Sequence, residues 1–265
     1  MRLLCIGDVV GRPGREAVER LTGMLRQEHG IECVVVNAEN AAGGSGMTPR
    51  IARDLLAAGA DVITLGDHAW KQREVFEAFD EFSTLLRPAN YSSEAPGRGA
   101  CLVELEGGLR VGVINLVGRI FMDPSESPFR AADTAIAELS QKTRIIVVDM
   151  HAEATSEKIA MGRYLDGRVS VVFGTHTHVA TADETILSGG TAYITDVGMT
   201  GPHDSVLGRE VKPVLKKLTT GVPARFEVAT GDVRLSAVVV TVDERTGRST
   251  QIKRIQVPLE PEARS

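Results

Sequence analysis

The sequence predicts an α/β fold, a four-layer α/β/β/α sandwich of two facing mixed β-sheets flanked by helices, and three features predict it. Apolar runs of strand length alternate with stretches of helical periodicity over the first two thirds of the chain, the pattern of a largely parallel sheet with covering helices. The last third changes to alternating stretches separated by turn residues, which is the pattern of antiparallel hairpins completing a second sheet. Metal-competent side chains also follow the ends of several runs, the edge at which open α/β sheets bind ligands.

In chain order, Arg2 to Gly7 reads as a buried strand. Pro13 to Glu28 reads as a helix with Pro in its first turn, apolar Ala17, Leu21, Met24 and Leu25 on one face, and a stop at Gly30. A strand at Cys33 to Val36, a helix near Pro49 to Ala58, a strand at Val62 to Leu65 and a helix near Lys71 to Phe79 repeat the alternation. Leu102 to Leu105, Val111 to Leu116 and Ile145 to Met150 read as further strands, with a helix near Arg130 to Leu139 between the last two. Val169 to Phe173 is another buried strand. Alternating strands then follow at Arg225 to Val228, Val233 to Val242 and Gln251 to Val257, and the Pro- and charge-rich tail after Val257 is expected to fray.

The 265 residues carry no repeat or low-complexity linker and read as a single domain spanning 1–265. A net charge of −5 argues against binding a nucleic-acid polymer, which relies on neutralising many phosphates, but allows a small anionic substrate held by metal ions. No run has the roughly 18 to 20 apolar residues of a membrane helix, and the start meets a charge at Asp8 too early for a signal peptide. A cytoplasmic protein is expected. Cys5, Cys33 and Cys101 are odd in number and set among apolar residues, so they read as buried thiols. The oligomeric state is left open, a homo-oligomer included.

The chemistry lies at the strand ends: Ile6-Gly7-Asp8, Asn37-Ala38-Glu39-Asn40, Gly66-Asp67-His68, Asp149-Met150-His151 and Gly174-Thr175-His176-Thr177-His178. Taken singly, Asp8 reads as a helix-capping turn residue, and Glu39-Asn40 as turn chemistry in a Gly-rich loop. Together they offer carboxylate, amide and imidazole donors without sulfur, which suits manganese, iron or zinc at a catalytic site. The donors are too many for one ion. Two ions about 3.5 to 4 Å apart would use them all and would serve in-line attack on phosphorus.

This order of motifs resembles the calcineurin-like metallophosphoesterases. Within them, Gly7-Asp8-Val9-Val10-Gly11-Arg12-Pro13-Gly14-Arg15, Asn37-Ala38-Glu39-Asn40 followed by Gly43-Gly44-Ser45-Gly46, and Gly198-Met199-Thr200-Gly201-Pro202 are similar to the bacterial YmdB-type 2′,3′-cyclic-nucleotide phosphodiesterases. The resemblance covers nearly the whole chain. It implies a dinuclear metal-dependent phosphodiesterase that hydrolyses 2′,3′-cyclic nucleotides to 3′-nucleotides, with a metal-bridging hydroxide attacking in line. It implies two divalent or mixed-valence ions, iron or manganese favoured and zinc allowed. Asp8, Glu39, Asn40 and His178 would hold the first and Glu39, Asp67, His151 and His176 the second, with His68 beside the phosphate as the charge-stabilising or proton-donating residue. The chain departs from the wider superfamily at Val10, where a histidine is usual, and at Asp67, where an asparagine is usual.

Among the remaining residues, Arg12 and Arg15 flank a helix start that favours anions, and either is a candidate phosphate contact beside the plainer role of surface ion pairing. Arg119 and Phe121 sit in a loop expected to cover the site and offer an aromatic face to a base. Glu153 and Asp196 are expected to give supporting hydrogen bonds, Trp70 to pack a helix start, and His203 to lie outside the site. Two alternatives stay open: a broad phosphomonoesterase or phosphodiesterase with the same metals, and a catalytically silent scaffold.

Overall fold

The computed structural model describes residues 1–123 and 125–260. The first sheet is built from β1 (Arg2–Ile6), β2 (Cys33–Asn37), β3 (Val62–Thr64) and β4 (Leu85–Leu86), parallel neighbours in that order. Their connections are helices α1 (Gly11–His29), α2 (Pro49–Ala57) and α3 (Val75–Glu81). The second sheet begins with β5 (Ala100–Glu104) antiparallel to β6 (Arg110–Val117), and continues parallel through β7 (Ile145–His151), β8 (Val171–Thr175) and, after the antiparallel β9 (Thr185–Ile186), β10 (Ala192–Ile194). Helices α4 (Pro128–Leu139) and α5 (Thr155–Leu165) make its crossovers. The chain then returns to the first sheet with β11 (Gly201–Pro202), passes through helix α6 (Val211–Thr220), and ends in the hairpin β12 (Val233–Val242) and β13 (Ser249–Pro258).

Period-two alternation sorts each strand between two cores. Leu4, Ile6, Val34 and Val36 pack outward under α1 and α2, whereas Leu3, Cys5, Cys33 and Val35 face the second sheet. On the second sheet Ile145, Val147, Val171 and Phe173 face inward, and Ile146, Val148 and Val172 pack under α4 and α5. Three apolar layers therefore separate four layers of structure, which is the predicted α/β/β/α sandwich. Three of the hydrophobic positions facing the other sheet are the free thiols Cys5, Cys33 and, partly buried, Cys101. Among the described residues, no helix is long and apolar enough to cross a membrane.

Several expectations need correction. The C-terminal hairpin does not complete a second sheet: β12 pairs antiparallel with β1, Leu4 opposite Val239, and so extends the first. Arg225 to Val228 forms no strand, only a bridge between Val228 and Arg209. Helix α3 starts at Val75 because Lys71 to Glu74 are occupied in a turn, where the Gln72 amide donates to Ser45 O at 3.0 Å. Beyond Val257, Leu259 N still bonds Val233 O at 2.8 Å, so the tail holds its register to that point, and residues 261–265 lie outside the described residues.

Candidate metal centre

Inward-facing positions turn from apolar to polar at the carboxyl ends of the strands. Along β7, Ile145 and Val147 are followed by Asp149 and His151; along β8, Val171 and Phe173 are followed by Thr175; and β2 and β3 end in Asn37 and Thr64. All of these polar side chains are fully buried. They floor a cluster to which the loops just beyond the strands contribute the remaining groups.

Glu39, Asp67, His151 and His176 each present one donor atom within 4.8 Å of the others. His151 Nε2 lies 3.2 Å from Glu39 Oε2 and 3.0 Å from Asp67 Oδ1, and His176 Nδ1 lies 3.3 Å from the same Asp67 oxygen. Asp8, Asn40 and His178 continue the cluster on the other side of Glu39. Asn40 Nδ2 is 2.9 Å from Glu39 Oε1 and 3.1 Å from His178 Nε2, which is 3.9 Å from Asp8 Oδ1. Asp8 also accepts the His176 backbone N–H on both oxygens, at 3.2 and 3.0 Å. Gly66 is required by this crowding: a Cβ there would sit 2.3 Å from His151 Nε2 and 2.4 Å from Glu39 Oε2.

The charges are those of a site built for cations. Burial pushes the Glu39 carboxyl up, but the charge and hydrogen bonds of His151 and the hydrogen bond of His68 outweigh it and hold the group well below the usual range. Asp67 is likewise opposed by burial, yet its bonds from His151 and His176 carry it far down. Burial wins at Asp8, whose pKa is raised against the pull of His178 and His151. His151 is penalised by burial and nonetheless raised well above the ordinary imidazole value by Glu39 and Asp67. The imidazole thus stands among carboxylates at a place that would accept a metal ion.

Each of the three inner histidines turns one ring nitrogen inward and has the other engaged from outside. His151 Nδ1 meets Thr175 Oγ1 at 2.9 Å, His176 Nε2 meets Glu153 Oε2 at 3.1 Å, and His178 Nδ1 meets Leu207 O at 3.1 Å. That outer engagement fixes ring orientation, as it does for metal-binding imidazoles generally. Together with carboxylate and amide oxygens and no thiolate, this donor set fits transition-metal ions.

His68 stands at the rim. Its Nδ1 donates to Asn40 Oδ1 at 2.8 Å and lies 3.2 Å from Glu39 Oε1, its backbone N–H bonds Glu39 Oε2 at 3.0 Å, and its pKa is raised, chiefly by the hydrogen bond with Glu39. Asp196 accepts from Lys158 Nζ at 2.6 Å and from Thr177 Oγ1 at 2.8 Å, supporting the loop between the two histidines. Trp70 stacks on Phe76 at the start of α3, and His203 lies apart, its Nδ1 on Gly201 O at 3.0 Å.

The structure does not gather the four expected substrate contacts equally. The Arg15 guanidinium donates to Ala41 O, so it braces the loop carrying Glu39 and Asn40. Arg12 lines two outer clefts of about 880 and 910 Å³ that contain none of the cluster residues. The loop of Arg119 and Phe121 springs from beside the cluster, because Gly118 N bonds His151 O at 2.8 Å. Glu157 anchors it by accepting the Arg119 N–H at 3.0 Å, while Phe121 projects 89 % exposed with a left-handed φ of 62°. Sequence reading gave no part to Asp149, Thr175, Thr64 and Lys158. For the first three the available sign was a polar residue at the end of an inward-facing row, and for Lys158, within α5, there was none.

This sandwich, with its carboxylate and histidine cluster at the strand ends, is the metallo-dependent phosphatase-like fold. The chain matches the YmdB-like protein family over residues 4–255 and belongs to that family. It is 48 % identical over 257 residues, 97 % of each chain, to a 2′,3′-cyclic-nucleotide 2′-phosphodiesterase of Bacillus subtilis. It is 33 % identical to a putative phosphatase/phosphodiesterase of Mycoplasma genitalium, covering 99 % of this chain and 95 % of that one. Among solved structures, a hypothetical protein from Thermus thermophilus superposes with a TM-score of 0.91 at 43 % identity, covering 98 % and 100 % of the two chains. A phosphatase from Mycoplasma pneumoniae superposes at 0.90 with 32 % identity, covering 97 % and 93 %.

Proposed function

We propose that this protein is a metal-dependent phosphodiesterase that hydrolyses 2′,3′-cyclic nucleotides to 3′-nucleotides. The observation that carries the reading is the assembly, at one sheet end, of every ligand-type residue from the strand-end motifs, in a chain 48 % identical to the Bacillus subtilis enzyme. Asp8, Glu39, Asn40 and His178 would hold one ion and Glu39, Asp67, His151 and His176 a second, with Glu39 shared. Iron or manganese suits these oxygen and nitrogen donors best, with zinc allowed. When bound, such a pair would supply Lewis acidity toward the phosphoryl oxygens and an activated water.

The protein's own groups do the rest. Glu39, held ionised despite its burial, would serve both ions with one carboxylate. His68, its proton affinity raised by Glu39, carries the proton that the ribose 2′-oxygen needs when the P–O2′ bond breaks. Phe121 and Arg119, on the loop tied to His151, would meet the base and the outer phosphate oxygens. A cytoplasmic setting agrees with three free thiols.

The test is turnover by metal-reconstituted protein of a 2′,3′-cyclic nucleotide, a linear diester and a monoester, with the metal content measured on protein purified without added metal. The cyclic substrate should be preferred and 3′-nucleotide should be the only product. Equal turnover of all three would favour a broad phosphoesterase, and failure to bind any transition metal would favour a silent scaffold.

A further inference from the structure

Behind the cluster lies a buried polar layer that none of these steps uses. Asp149 collects three hydrogen bonds: from Thr64 Oγ1 at 2.5 Å and Asn37 Nδ2 at 2.9 Å on the first sheet, and from Thr175 Oγ1 at 2.7 Å on the second. The same Thr175 oxygen is 2.9 Å from His151 Nδ1. A hydroxyl has one proton to give, and an ionised carboxylate can only accept. The Thr175 proton is therefore directed to Asp149, and its lone pair receives a proton from His151 Nδ1. The rival arrangement leaves Nδ1 bare to accept from Asn37, but Asn37 Nδ2 is 3.4 Å from that nitrogen, whereas Thr175 Oγ1 is at 2.9 Å.

We propose that Asp149 and Thr175 form a positioning relay that fixes His151 with its proton on Nδ1, so that the Nε2 lone pair is the one offered to the metal. The inference rests on the reading of His151 as a metal-holding residue. Because the relay takes partners from both sheets, it also sets the register between Glu39, carried by the first sheet, and His151, carried by the second. Neither Asp149 nor Thr175 touches the substrate or the reacting atoms. Their effect reaches the chemistry through the ring they orient.

The experiment uses the full chain depleted of metal, in the parent and in the variants Thr175→Val, Thr175→Ser and His151→Ala. Binding is read by titration with Mn²⁺, and the His151 ring proton by ¹H–¹⁵N spectra of the metal-free protein, its signal identified by absence from His151→Ala. The parent should show a slowly exchanging proton on Nδ1 of His151. Thr175→Ser should keep that proton and bind Mn²⁺ within about threefold of the parent, whereas the isosteric Thr175→Val should lose the slow exchange and bind about 10- to 100-fold more weakly, the usual cost of removing an outer partner of a ligand. A bare Nδ1 in the parent would overturn the relay, and so would a Thr175→Val protein that binds like the parent or a serine variant as weak as the valine one. Should His151→Ala bind Mn²⁺ as tightly as the parent, the ligand role of His151 falls, and the parent spectrum still decides the relay. That spectrum needs no variant at Thr175 to fold.

Discussion

Glu39 is buried beside Asp67 and still holds its charge, because His151 and His68 supply the positive field that water would otherwise provide. Glu39→Ala should abolish turnover in an assay of the cyclic substrate, and retention within about tenfold, little more than 1.4 kcal/mol of barrier, would remove its bridging role. His68→Ala should leave metal content unchanged and lower kcat by about 10²- to 10⁴-fold, as loss of a proton donor does; loss of metal instead would make His68 a ligand. Asp149 gives a prediction in pH. Burial pushes its pKa from 3.8 up to about 6, against the charge of His151 and its three hydrogen bonds. Between those values the folded state binds more protons than the unfolded state, so this group's contribution is full in acid and is lost as pH rises to about 6. Comparing denaturant unfolding of metal-free parent and Asp149→Asn from pH 4 to 7 removes the groups that do not touch Asp149, and the difference should move by about 2.4 kcal/mol in favour of the variant. A difference flat across that range would mean that Asp149 titrates as it does in the unfolded chain.

At the scale of elements, the segment from β8 into the His176–His178 loop is held in a conformation side chains seldom adopt: φ is 95° at His176 and 65° at His178. Such backbone persists where surrounding contacts overdetermine it. Here the contacts come from α5 through the fully buried Lys158, whose Nζ is 2.6 Å from Asp196, itself bonded to Thr177 Oγ1 and Gly198 N. Removing one partner of a buried pair strands the other charge, so Lys158→Met should cost about 3–5 kcal/mol of stability, and the double variant Lys158→Met/Asp196→Asn should cost less than the two single changes added together. Chemical denaturation of the four proteins measures this, and strict additivity would show that the pair is not coupled.

In the whole molecule, Asp8, Glu39, Asn40 and Asp67 follow strands of the first sheet, and His151, His176 and His178 belong to the second. Metal bound across them joins the two halves of the sandwich and stabilises only the folded state. At about 100 times its dissociation constant an ion adds about 2.7 kcal/mol. Chelation should therefore lower the melting temperature of the parent and leave that of Glu39→Ala nearly unchanged. A parent melting curve indifferent to chelator would mean that the cluster holds no metal in solution.

The sequence by itself determined the layered α/β class, most strands to within a residue or two, and the residues clustered at the strand ends, because each is written in local periodicity and spacing. Gly66 could be read next to His68 without knowing that the space it leaves belongs to His151 and Glu39. Helix α5 escaped notice because its buried face includes Glu157 and Lys158, charges whose partners lie on other segments, and α6 because it buries only Val214. Only the tertiary structure decided that β12 joins β1, 231 or more residues away in sequence along Arg2 to Ile6, since pairing at that range depends on which edge the rest of the fold leaves open. The same holds for Asp149 and Thr175. An inward-facing polar residue acquires a role only when the opposite sheet brings it a hydrogen-bond partner, and no local pattern in the chain records that meeting.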